Sequence, residues 1–124
     1  MKASPLPDVY VKGLLGEAKA EEYLCSQGMI CLDRRYRSPY GEIDLIMLDG
    51  DILAFVEVKA RDLSTLQAAQ MAVTPAKQRR IIQTALCYLS EHPEHAQRMI
   101  RFDIAGLSND CIEHLPNAFQ GSGW

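Results

Sequence analysis

The chain has 124 residues, 48% of them hydrophobic and 23% charged, a length that buries one core and leaves no room for a second independent one. Its formal charge of −3 argues against a protein that coats nucleic acid indiscriminately. No apolar run approaches the ~20 residues that span a bilayer, and Met1-Lys2-Ala3-Ser4-Pro5 lacks the apolar stretch of a signal peptide, so neither membrane insertion nor secretion is expected.

Asp8 caps a first predicted helix, and Gly28 ends it; Val11, Leu14, Leu15, Ala18, Leu24 and Cys25 recur along it at helical spacing. Gly13 and Gly16 each weaken that helix by roughly 1 kcal/mol relative to Ala, which points either to close approach of another backbone or to fraying. Residues 29–37 read as a first strand, closed by the turn-rich Ser38-Pro39-Tyr40-Gly41. Residues 42–48 and 52–60 read as the next two strands, joined through Asp49-Gly50-Asp51, a strong hairpin signal. Residues 66–73 fit a short helical turn. Thr74-Pro75 supplies an N-cap and a proline at the first helical position, and Ile81, Ile82, Ala85, Leu86 and Leu89 form an apolar stripe down a helix ending near His92-Pro93. A fourth strand is expected over 99–107 and a short fifth over 111–115. The order is α-β-β-β-α-β-β: an α/β domain over residues 1–119, one mixed sheet flanked by helices, with 120–124 expected to be a flexible tail.

Cys25, Cys31, Cys87 and Cys111 form no Cys-x-x-Cys pair and fall in apolar segments, so they read as small buried hydrophobes in a reducing compartment, here the cytoplasm. His92, His95 and His114 are scattered, and the first two are expected at the surface. Charge is more telling. Residues 34–80 carry a net +2, against −2 before and −3 after, in the clusters Arg34-Arg35-Tyr36-Arg37, Lys59-Ala60-Arg61 and Lys77-Gln78-Arg79-Arg80.

Acids lie in the same stretch. Side chains alternate faces along a strand, so Glu57 and Lys59 share one. Either two-residue loop between the second and third strands brings Asp44 next to Glu57: Asp49-Gly50 makes them diagonal neighbours, and Gly50-Asp51 sets them directly opposite. A three-residue loop would separate them onto opposite faces. Two carboxylates ~5 Å apart repel by about 3 kcal/mol at an effective dielectric of 20. Lys59 offsets part of this, and a hard divalent cation would offset more; oxygen ligands with open positions suit Mg²⁺ or Mn²⁺. Asp…Glu-x-Lys therefore fits metal-assisted phosphodiester hydrolysis. Glu-x-Lys alone is common, and the plain alternative is a salt bridge on an exposed sheet face. Glu17, mid-helix beside Gly16, is the next candidate, although most helical glutamates simply face water.

Gly16-Glu17, Tyr23-Leu24, Gly28, Arg37, Gly41-Glu42-Ile43-Asp44-Leu45-Ile46 and Phe55-Val56-Glu57-Val58-Lys59-Ala60-Arg61 together resemble the YraN family of small bacterial proteins. The likeness continues through Ala72-Val73-Thr74, Lys77, Arg79-Arg80, Tyr88-Leu89, Arg101-Phe102-Asp103 and Ile112-Glu113-His114. It implies a restriction-endonuclease-like fold similar to that of archaeal Holliday junction resolvases. Asp44, Glu57 and Glu17 would then bind the metal, with Lys59 the catalytic lysine. Leu14-Leu15, Asp33 and residues 66–70 depart from the family pattern and leave those four positions intact. The implied activity is Mg²⁺-dependent DNA endonucleolysis on branched or damaged DNA. Arg35, Arg37, Arg61, Lys77 and Arg80 are the expected phosphate contacts; Arg35 and Arg37 share a face of the first strand, and Lys77 and Arg80 lie on the polar side of the second helix. Analogy with junction resolvases implies a homodimer. The alternative is a DNA- or protein-binding module on the same fold whose catalysis is weak or lost.

Overall fold

A computed structural model describes residues 8–59, 73–108 and 111–120, with side chains from Leu15 onward. The elements are α1 (Asp8–Ser26), β1 (Ile30–Ser38), β2 (Gly41–Asp49), β3 (Ile52–Lys59), α2 (Pro75–Glu91), a short 3₁₀ turn (Pro93–His95), β4 (Ile100–Ser108) and β5 (Cys111–Phe119). The five strands form one sheet in the order β1-β2-β3-β4-β5, antiparallel except for the β3–β4 pair. That parallel step requires a crossover, and α2 lies within it. Of the helical turn expected over 66–73, all but Val73 lies outside the described residues, as do Arg61 and residues 121–124.

Local chemistry accounts for the boundaries. Gly28 takes a left-handed φ of +96°, with Gly28 N–H bonded to Cys25 O at 3.0 Å and Met29 N–H to Leu24 O at 3.1 Å; this paired C-terminal motif stops α1 and turns Met29 into the core. Thr74 caps α2, its hydroxyl accepting from Lys77 N–H at 3.2 Å, with Pro75 following. The helices cover opposite faces. Ala20 and Leu24 of α1 pack with Leu45, Met47, Ala54, Val56 and Ala105, whereas Ile81, Ala85 and Tyr88 of α2 pack with Ile43, Ile46, Leu53, Phe55, Phe102 and Ile104. Each strand from β2 to β4 is thus buried on both sides, which is why they read as nearly continuous apolar runs. Gly16 is buried, but its near neighbour is the side chain of Leu107, 3.5 Å from where a Cβ would stand, rather than another backbone.

Three expectations need correction. β5 runs to Phe119, four residues beyond the strand expected at 111–115. Pro116 is tolerated because β5 is an edge strand and the β4–β5 register shifts there. The tether is Asp103, fully buried on β4, whose carboxylate accepts from Arg101 at 2.8 and 2.9 Å and from Asn117 N–H at 2.9 Å, and meets His114 Nε2 at 2.8 Å. Burial alone would raise its pKa, but His114, Arg101 and the Asn117 amide outweigh it and hold the carboxyl below its usual range. Second, the four cysteines are free thiols, but Cys25 and Cys111 are exposed, one on the outer side of the last turn of α1 and the other opening the edge strand. Third, His95 is buried and accepts from Arg98 Nε at 2.9 Å, and His92 stacks on Tyr88 with ring centroids 3.9 Å apart. The apolar end of α2 draws both rings inward.

Asp103→Ala leaves a half-buried guanidinium paired with Asp49 alone and an untethered strand, so it should cost about 3 kcal/mol of stability in urea unfolding. Hydrogen exchange should speed up first in residues 112–118; uniform protection across β5 would show that Asp103 does not hold the strand.

Candidate active site

Asp49 pairs with Ile52, so the hairpin loop is Gly50-Asp51, with Gly50 at φ +59°. Of the two registers that unite the acids, this is the one that sets Asp44 opposite Glu57. The hydrogen-bonded ladder ends one step short, at Leu45 with Val56. There Asp44 Oδ2 accepts from Val58 N–H at 2.8 Å, so a side chain replaces a strand backbone. The alternation of β2 breaks at the same point. Ile43 and Ile46 both face α2, whereas strict alternation would group Ile43 with Leu45, which faces α1. Asp44 therefore sits where the sheet opens, within reach of both faces.

Glu57 points to the α2 face, 6% exposed, among Ile43, Phe55, Val56 and Ile81. Its Oε2 is buried with no hydrogen-bond partner among the described residues, and Lys77 Nζ stands 3.5 Å away. Burial, followed by the hydrogen bond and charge of Asp44, pushes the Glu57 carboxyl up to about 9, against the pull of Lys77 and Lys59. Lys59 is half-buried; desolvation and then the neighbouring Lys77 amine hold its pKa below the ordinary lysine value. Lys77 is desolvated as well, but contact with Lys59 and the charges of Glu57 and Asp44 raise its pKa.

Glu17 approaches from α1. Burial and Asp44, with a smaller contribution from Glu42, raise its pKa, while Arg35 opposes them. Arg35 binds it through two hydrogen bonds, Nε to Oε1 at 2.9 Å and Nη2 to Oε2 at 3.0 Å. All four proposed catalytic residues thus lie in one neighbourhood, although among the described residues no group of three or more His, Cys, Asp or Glu is close enough to hold a metal ion.

The expected phosphate contacts fare differently. Lys77 leaves the polar side of α2 and turns to Glu57, because the buried Ile81 one turn on fixes the rotation of the helix. Arg35 is engaged by Glu17, and Arg37, largely exposed, pairs with Glu42 at 2.6 Å. Arg80 is exposed beside the β1–β2 turn, where a side chain at Gly41 would come within 3.7 Å of its Cβ. Sequence reasoning missed Glu42 as a site neighbour, although its spacing two residues from Asp44 on β2 was a signal.

The chain matches the profile of the Uncharacterised protein family UPF0102 over residues 16–107. It belongs to UPF0102. It is 47% identical over 111 residues to a UPF0102 protein of Rhodopseudomonas palustris strain BisB18, covering 89% of this chain and 81% of that one. The identity is also 47% to a UPF0102 protein of Bradyrhizobium diazoefficiens, over 89% and 82% of the two chains. A UPF0102 protein of R. palustris strain HaA2 is 40% identical over 98% of this chain and 96% of its own. The family match spans Glu17, Asp44, Glu57, Lys59 and Lys77 alike. No helix among the described residues of this UPF0102 chain is long and apolar enough to cross a membrane.

A carboxyl whose folded pKa lies above its unfolded value binds extra protons when folded, so its contribution to stability falls as pH rises between the two. For Glu57 that window runs from 4.5 to about 9. In chelator-treated protein, Glu57→Gln should therefore match the wild type near pH 4.5 and melt progressively higher than it toward pH 9. A gap that does not change with pH would contradict this origin.

Proposed function

We propose that this UPF0102 chain is a Mg²⁺- or Mn²⁺-dependent DNA endonuclease with a restriction-endonuclease-like fold, as its resemblance to the YraN family implies. The observation carrying the reading is the acid pair: the β2–β3 register, extended one step, sets half-buried Asp44 opposite buried Glu57, and a Glu57 oxygen is left without a hydrogen-bond partner among the described residues. A buried carboxylate oxygen without a hydrogen bond, beside a second acid, is costly even with Lys77 Nζ 3.5 Å away, and a hard cation satisfies both acids at once. The donor chemistry suits such an ion: Asp44 and Glu57 would hold it, and Glu17, once drawn in from α1, would complete the set. A divalent cation there supplies Lewis-acid polarisation of a phosphodiester and a more acidic bound water.

The chain's own groups do the rest. Lys59, with its lowered pKa, is placed to orient the attacking water and manage its proton. Lys77 brings positive charge to the same spot, suited to the charge developing on phosphate oxygens. Arg37 and Arg80, both exposed, position the DNA backbone around the site without reading bases. Branched or damaged DNA is the proposed substrate, the cytoplasm the proposed location, and a homodimer would supply two cuts.

Two observations favour the second reading, a binding module with weak or lost catalysis: Glu17 is tied to Arg35, and no cluster of three ligating groups is tight enough for a metal among the described residues. Nicking of supercoiled, flapped and four-way DNA with Mg²⁺ or Mn²⁺ separates the two. Metal-dependent cleavage that falls roughly 10²-fold or more in Glu57→Ala and Lys59→Ala supports the nuclease. Salt-sensitive binding without cleavage, unchanged in both variants, supports the module.

A further inference from the structure

Arg34 and Arg35 are consecutive on β1, and a regular strand would send them to opposite faces. Both instead reach α1, Arg34 to Glu21 at 2.5 and 2.6 Å and Arg35 to Glu17 at 2.9 and 3.0 Å. Two irregularities of β1 accompany this. The register with β2 shifts between Cys31 and Asp33, and Arg35 has a left-handed φ of +50°, a conformation that side chains other than Gly and Asn rarely adopt. The backbone is held in an unfavourable state that aims Arg35 at one particular acid.

The place of that acid gives the contact its meaning. Arg34 pairs with Leu45 and Tyr36 with Ile43, so Arg35 stands across from Asp44, which stands across from Glu57. Interpolated and extended in this way, the two registers align Arg35, Asp44 and Glu57 across three strands, and Glu17 reaches that line from α1. Both carboxylate oxygens of Glu17 are taken by the guanidinium, a fork geometry matched to a carboxylate and held close in a half-buried setting. A dication bound by Asp44 and Glu57 would draw Glu17 and repel the guanidinium, so the two compete for Glu17.

We propose that Arg35 is a built-in counter-ion that occupies Glu17 in the metal-free chain and competes with a divalent cation for it. Metal entry then requires the guanidinium to leave Glu17, and the released side chain, next to the opened end of the sheet, becomes available to a phosphate. Arg35 is thus a positioning residue that keeps the acids compatible until ion and nucleic acid arrive. This inference rests on the metal site proposed above.

The test is Mn²⁺ binding to the full chain, read from the free-ion electron paramagnetic resonance signal. Arg35→Gly suits the left-handed backbone and removes the guanidinium, and Arg35→Asn, which also tolerates that conformation, serves if the glycine variant melts early. Either should bind Mn²⁺ roughly tenfold more tightly than the wild type. In a Glu17→Gln background the same change should have no effect, because the contested ligand is gone. Binding to a variant but not to the wild type supports the counter-ion role most directly. Wild-type binding that is unchanged or weakened on removing Arg35 overturns this inference and leaves the metal site standing. No Mn²⁺ bound by the wild type or by either variant overturns both.

Discussion

Two carboxylates on one rung of a sheet, one of them buried, set the electrostatic condition that the surrounding structure answers. Like charges so placed repel by about 3 kcal/mol even in a partly screened setting, and burial adds a desolvation cost. The neighbourhood is built around that conflict. Val58 N–H takes an oxygen of Asp44, Lys77 faces Glu57, Lys59 stands beside Lys77, and Arg35 covers the third acid, Glu17. Proton uptake by Glu57 is the remaining response when these are insufficient.

The two apolar layers keep the arrangement from relaxing. The Phe55, Ile81 and Tyr88 layer sets the rotation of α2 and hence where Lys77 points, while Ala20 and Leu24 seat α1 so that Glu17 meets the opened edge of the sheet. Polar ties act at the margins. Asp103 binds β5 to β4, and Tyr36 of β1 donates to Glu91 at the end of α2. A carboxylate pair on a flexible loop could move apart; here each acid is on a strand or helix whose other side chains are committed to a core.

Much of this was legible in the chain. Asp49-Gly50-Asp51 marked a tight hairpin, and period-two geometry brought Asp44 and Glu57 together for either two-residue loop but not for a three-residue one. Thr74-Pro75 and Gly28 marked helix ends by local backbone chemistry, and both lie where expected. Other features were not legible. Lys77 and Arg80 look equivalent along α2, and only the packing of Ile81 separates the one that turns inward from the one left outside. The length of β5 depended on a carboxylate from another strand, Asp103, which nothing in residues 111–119 reveals. The cysteines misled too: an apolar segment says little about which face a residue at its end will take.

Local rules in the sequence were enough to determine the order of elements and to narrow the hairpin to a few registers, two of which pair the acids, because turns, caps and strand alternation act over a few neighbouring residues. The tertiary structure alone decided what faces those acids: Arg35 against Glu17 and Lys77 against Glu57 join residues 18 and 20 positions apart. Such contacts depend on how helices rotate against a sheet and on one left-handed residue in a strand, and those outcomes follow from packing the whole core rather than from any short stretch of it.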